Sequence, residues 1–128
     1  MSFAEAIKME PDYIGANGRT DAEIAEAEKE LGIKFAKDYR EYLKKIGLAC
    51  FDGHELTGLT NTARLNVVSV TKELWKQSEE INALWYVVEA VGLDGIIIWQ
   101  NSDGALYATA PYTNAKKVAD SLSEYYSK

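Results

Sequence analysis

Trp85-Tyr86-Val87-Val88-Glu89-Ala90-Val91, Ile96-Ile97-Ile98-Trp99 and Leu106-Tyr107-Ala108-Thr109 are short runs rich in β-branched and aromatic residues. Gly92-Leu93-Asp94-Gly95 and Asn101-Ser102-Asp103-Gly104 separate them, and Asp-Gly suits the positive φ values that tight hairpins need. The spacing predicts an antiparallel meander. Downstream, Val118, Leu122 and Tyr125 recur at i, i+4, i+7, which predicts an amphipathic C-terminal helix over about 114–126.

Upstream, Glu55-Leu56-Thr57-Gly58-Leu59 and Leu65-Asn66-Val67-Val68-Ser69-Val70 read as two further strands, with Thr71 capping a short helix through about 78. The first half is helical. Thr20-Asp21-Ala22-Glu23 has the form of a capping box, Ile24, Ala27 and Leu31 follow as one buried stripe, and Gly32 supplies a left-handed stop. This predicts a helix over about 21–31. Tyr39, Tyr42, Leu43 and Ile46 form a second stripe, with charged residues between them and Gly47 as its stop. Tyr39 and Leu43 belong to the expected core. The expected architecture is α+β: one domain over residues 1–128, a mostly antiparallel sheet packed with N-terminal helices and a C-terminal helix.

The size agrees, because 128 residues with 47% hydrophobic and 27% charged side chains make one globular core and no second one. No repeat, linker or low-complexity segment interrupts the chain. The 14 Lys and Arg against 20 Asp and Glu give a net charge of -6. Such a surface repels phosphate backbones, so nucleic acid is not an expected ligand, whereas a basic protein would be drawn to it. A single cysteine, Cys50, allows no internal disulfide, and the charged opening Met1-Ser2-Phe3-Ala4-Glu5-Ala6-Ile7-Lys8 is not an export signal. The expectation is a cytoplasmic protein. The apolar stretches 84–88 and 96–99 are far shorter than the roughly 20 residues that span a bilayer.

No motif carries catalysis. Cys50 and the only histidine, His54, would make a nucleophilic pair if their side chains met, but no local motif supplies an orienting group or an oxyanion hole. With Asp52 and Glu55 they form a countable set of donors without a recognised zinc spacing. Asn101-Ser102-Asp103-Gly104 opens like a calcium loop, yet Tyr112 stands where the closing glutamate belongs. Glycine-rich phosphate loops and the G-x-S-x-G elbow are missing. No metal, no cofactor and no enzymatic activity are expected.

Charge is unevenly placed. Between Lys76 and Lys116 there is no Lys or Arg, while Glu79, Glu80, Glu89, Asp94 and Asp103 all fall in that span. One reading is that these acids keep strand edges soluble. The other is an anionic docking face for a basic partner, with Trp85, Trp99, Tyr107 and Tyr112 as candidate aromatic anchors. The candidate contacts are Asp52, Glu55, Glu79, Glu80, Asp94, Trp99 and Asp103, on the sheet face and in the turns at 52–55, 92–95 and 101–104.

Three stretches resemble the SUKH superfamily, the group that takes in the Syd protein and the yeast Smi/Knr-type cell-wall regulators. They are Ala27 through Leu43 with Gly47, Glu55-Leu56-x-Gly58-Leu59, and Asp94-Gly95-Ile96 through Gln100-x-x-Asp103-Gly104-x-x-Tyr107. Together they cover about residue 20 to the C-terminus; Ala36 stands where most members carry proline. The resemblance implies a binding domain. Bacterial members are mostly immunity proteins that block a neighbouring toxin, often a nuclease, by binding it, and eukaryotic relatives resemble scaffold or regulatory modules. Motifs of this kind define a fold more than an activity.

Overall fold

The capping box at Thr20 forms as written. Thr20 Oγ1 accepts from Glu23 N at 3.1 Å and Glu23 Oε1 accepts from Thr20 N at 3.0 Å. Helix α2 runs Asp21–Leu31 and ends at Gly32, whose φ of 71° is left-handed. In the computed structural model, which describes residues 1–77, 81, 83–91 and 95–127, α1 (Phe3–Ile7) precedes it and α3 (Lys37–Lys45) follows. A capping box between Ser2 and Glu5 starts α1, which the sequence reading had missed.

The meander is confirmed. Strands β4 (Tyr86–Ala90), β5 (Ile97–Gln100) and β6 (Leu106–Thr109) pair antiparallel, with Val87 opposite Trp99 and Trp99 opposite Tyr107. Tyr86, Gln100 and Leu106 make the adjoining row and face the main core, all fully buried. There they meet Tyr39, Tyr42, Leu43 and Phe35 from the α2–α3 side. The C-terminal expectation needs correcting. Residues Lys116–Ala119 form a fourth strand, β7, on the free edge of β6, and only Leu122–Tyr126 are helical, as α5. Ser121 caps that helix by accepting from Glu124 N at 3.1 Å, so it begins too late to include Val118.

A three-stranded sheet, β1 (Ile14–Gly15), β2 (Ala49–Phe51) and β3 (His54–Glu55), lies beside α3. The two strands expected at 55–59 and 65–70 largely give way. Only Glu55 of the first is in a strand, while Ala63–Leu65 is a 3-10 turn and Val67–Gln77 is helix α4. The Asn66 side chain caps α4, its Oδ1 accepting from Val68 N and Ser69 N at 3.0 and 3.2 Å, and Val67, Val68 and Thr71 bury one face. A cap plus burial outweighs the β preference of branched side chains. Thr71, read as the cap, is inside the helix, and its hydroxyl accepts from Val87 N.

Residues 56–59 instead stitch the molecule together. Their amides donate to four carbonyls in separate segments: Leu56 to Ala49, Thr57 to Val88, Gly58 to Leu65 and Leu59 to Gly47. A Cβ on Gly58 would lie 2.0 Å from the Gly47 oxygen, and Gly47 itself has φ of 81°, so both motif glycines are fixed by backbone crossing. Buried hydroxyls complete the seam. Tyr39 and Thr57 share a hydrogen bond of 2.8 Å, Thr57 Oγ1 donates to Val87 O, and Tyr42 donates to Thr57 O while accepting from Ala49 N. Burial pushes the Tyr39 and Tyr42 phenols far above their ordinary range, so they stay neutral donors.

Candidate protein-binding face

Asp103 is exposed in the β5–β6 turn, where Asn101 Oδ1 accepts from Asp103 N and Ala105 N and so closes a hairpin rather than a calcium loop. It borders a recess of about 350 Å³ with Asp38, Glu41 and Asp120. Two of these carboxylates are already engaged. Asp38 accepts from Gln100 Nε2 and Leu122 N, both at 3.0 Å, and Asp120 pairs with Lys117 at 2.6 Å. Gln100 also accepts the Tyr86 hydroxyl, which ties the third motif of the resemblance to the core.

Asp52 and Glu55 sit on another hairpin, between and on β2 and β3. Asp52 is exposed with φ of 47°, and its amide donates to Asp12 Oδ1 at 2.8 Å. Glu55 is held by a two-pronged Arg64 contact at 2.6 and 3.2 Å, whose hydrogen bonds keep its carboxyl below the usual range. Its charge is therefore offset. Glu79, Glu80 and Asp94 lie outside the described residues.

Two expectations about the sheet half are overturned. Trp99 is no surface anchor, being 1% exposed beneath α4 with its Nε1 donating to Thr109 Oγ1 at 2.8 Å. Its place at the centre of β5, one residue from the core row, is what buries it. Glu89 is not part of an acidic face either: it is 4% exposed, between His54 and Tyr126. Of the other aromatics, Trp85 and Tyr107 are half-buried and stack at 4.1 Å and 12°, and Tyr112 is fully exposed.

The β2–β3 register also separates the thiol from the imidazole. Cys50 pairs with Glu55 and Phe51 with His54, so Cys50 and His54 project to opposite faces of the hairpin. Among the described residues no three His, Cys, Asp or Glu side chains gather closely enough to hold a metal, and no helix is long and apolar enough to cross a membrane.

The broadest acidic surface is one the sequence reading passed over. Between α2 and the start of α4 runs a groove of about 850 Å³. Glu23, Glu26 and Glu30 line one wall, Asn61, Asn66 and Ser69 the other, and Ala22, Ala27, Leu59 and Val68 complete its lining. Glu23 is spent on the Thr20 cap, whose hydrogen bonds hold its carboxyl low. Glu26 and Glu30 are exposed, and neither has an ion pair or hydrogen bond among the described residues. The one cation of the lining, Arg19, turns inward, donating to Leu59 O at 3.0 Å and Asn17 O at 2.7 Å. The signal was legible: Glu23, Glu26 and Glu30 recur at i, i+3, i+7 opposite the buried stripe, the same period read as an ordinary solvated face.

Against known proteins, the family model described as SMI1-KNR4 cell-wall, SUKH_5, matches residues 3–127. The comparison with curated proteins gives no match.

Proposed function

The chain belongs to the SMI1-KNR4 family, matched over residues 3–127, and from that premise we propose that it works by binding a basic protein rather than by catalysis. The wall formed by Glu26 and Glu30 in the α2–α4 groove is the docking surface. The observation that carries this reading is their state: two exposed carboxylates without an internal partner, beside an arginine whose charge is directed into the fold. A net charge of -6 extends the same attraction to long range and raises the encounter rate with a cationic partner.

The finer reading is that of a cytoplasmic immunity protein that neutralises a cognate toxin by stoichiometric binding, as the resemblance to bacterial SUKH members implies. A nuclease toxin must present positive charge to phosphate, and an acidic inhibitor fits over such a surface. The test is co-expression of the tagged chain with the product of its neighbouring reading frame, read by pull-down and by rescue of growth. Capture with rescue establishes immunity. Neither, from a folded protein, transfers the reading to an intracellular scaffold or regulatory module.

A further inference from the structure

The C-terminal helix α5 has five residues, too few to hold together without tertiary contacts. Its first turn is anchored by buried Leu122, whose amide donates to Asp38. Its last residue, Tyr126, reaches inward to Glu89. The Glu89 side chain is 5% exposed, and Oε1 accepts the Tyr126 hydroxyl at 2.8 Å while Oε2 lies 3.2 Å from His54 Nδ1. Around these groups stand the rings of Phe51 and Tyr126, with the imidazole set edge-on to Tyr126 at 4.9 Å, and Phe3 beyond.

A carboxylate in that setting needs a counter-charge, because protein dipoles and two hydrogen bonds replace its lost hydration only in part. Among the described residues no lysine or arginine pairs with Glu89, and His54 is the only group within ion-pair distance that can carry positive charge. The other polar or titratable neighbours are Tyr125 and Tyr126 from α5, Tyr42 from α3 and, in the turn before His54, exposed Asp52. None is a cation. His54 is 35% exposed on its side chain and so exchanges its proton directly with water.

The geometry points to a proton-operated latch: protonated His54 neutralises Glu89, Glu89 holds the Tyr126 hydroxyl, and loss of the His54 proton releases the end of α5. The tether is present on the acid side of the imidazole titration and weakens as pH rises through it. The chain has no second histidine to confuse the reading.

The test uses the full chain, labelled for NMR. Amide protection factors of residues 122–126, corrected for intrinsic exchange, are compared at about pH 5.5 and about pH 8.5, which bracket the usual imidazole range. The expected result is a fall of about tenfold, the scale of one charge-assisted hydrogen bond. Its midpoint should match that of the His54 ring protons, with Tyr42 and Ile98 amides unchanged. In Glu89→Gln, which needs no counter-ion, the fall should vanish. Constant protection in the wild type, a midpoint unrelated to His54, or the same fall in Glu89→Gln overturns the latch. Should Glu89→Gln not fold, the coincidence of the two wild-type midpoints decides alone.

Discussion

In the four-stranded sheet, β4 to β7, strands of four or five residues pair over their length, and alternate side chains separate a core row from a row beneath α4. In the three-stranded sheet no strand exceeds three residues, and the segment after β3 donates its amides one by one to separate parts of the chain. The first is stabilised by buried area, which spreads over many side chains and tolerates change. The second depends on single atoms at backbone crossings, where one added carbon has nowhere to go. The family's glycines and tyrosines cluster at the second.

The largest expected effect breaks the stitched region. Gly58→Ala forces a Cβ to 2.0 Å from the Gly47 oxygen and should cost about 4 kcal/mol or more, or abolish folding, as read by urea denaturation. Leu43→Ala removes a fully buried side chain shared by both regions and should cost about 2 to 5 kcal/mol in the same assay. Wild-type stability would show that α3 faces elsewhere. Thr57→Val leaves the Tyr39 hydroxyl and the Val87 carbonyl without their partner and should cost about 1 to 3 kcal/mol. Tyr107→Ala, on the half-exposed Trp85 stack, should cost only about 1 kcal/mol; a loss as large as that of Gly58→Ala would collapse the contrast.

The smallest effect is a matter of pH. Arg64 holds the Glu55 carboxyl below its model value of 4.5. That pair adds stability above this value and loses it as pH falls through the lowered one. Arg64→Ala should therefore narrow the difference in stability between neutral and acid pH, slightly, because the pair is exposed.

The same contrast explains what could be read in advance. Repetition writes itself into sequence: the α2 cap and stripe, the α3 stripe and the alternation of β4 to β6 were all visible. The three-stranded sheet was not, because two-residue strands have no period, and Ala49 and Ile14 find their partners only once α3 has turned the chain. Val67-Val68-Ser69-Val70 misled because branched residues favour strands locally, whereas the Asn66 cap and the space under α4 were tertiary facts. Val118 misled for a related reason, since a half-buried strand residue one step from a helix can complete a helical spacing. At the candidate site, Asp52, Glu55 and Asp103 were correctly placed in or beside turns. Trp99 and Glu89 were misassigned because linear spacing does not show which side of a sheet a helix covers, and the Glu26 and Glu30 wall was missed because charge alternation masked a one-sided face.

The most direct test is the rate at which this chain associates with the basic partner captured by co-expression, measured by stopped flow at rising salt. Three proteins are compared: the wild type, Glu26→Lys with Glu30→Lys, and Asp103→Lys. All three should have stabilities within about 0.5 kcal/mol, since none of these side chains is buried or makes a hydrogen bond. Docking on the α2–α4 groove requires that salt slow the wild type, that the double variant associate at least about tenfold more slowly with a flatter salt dependence, and that Asp103→Lys stay close to wild type. A double variant that associates like the wild type, at every salt concentration, would contradict it.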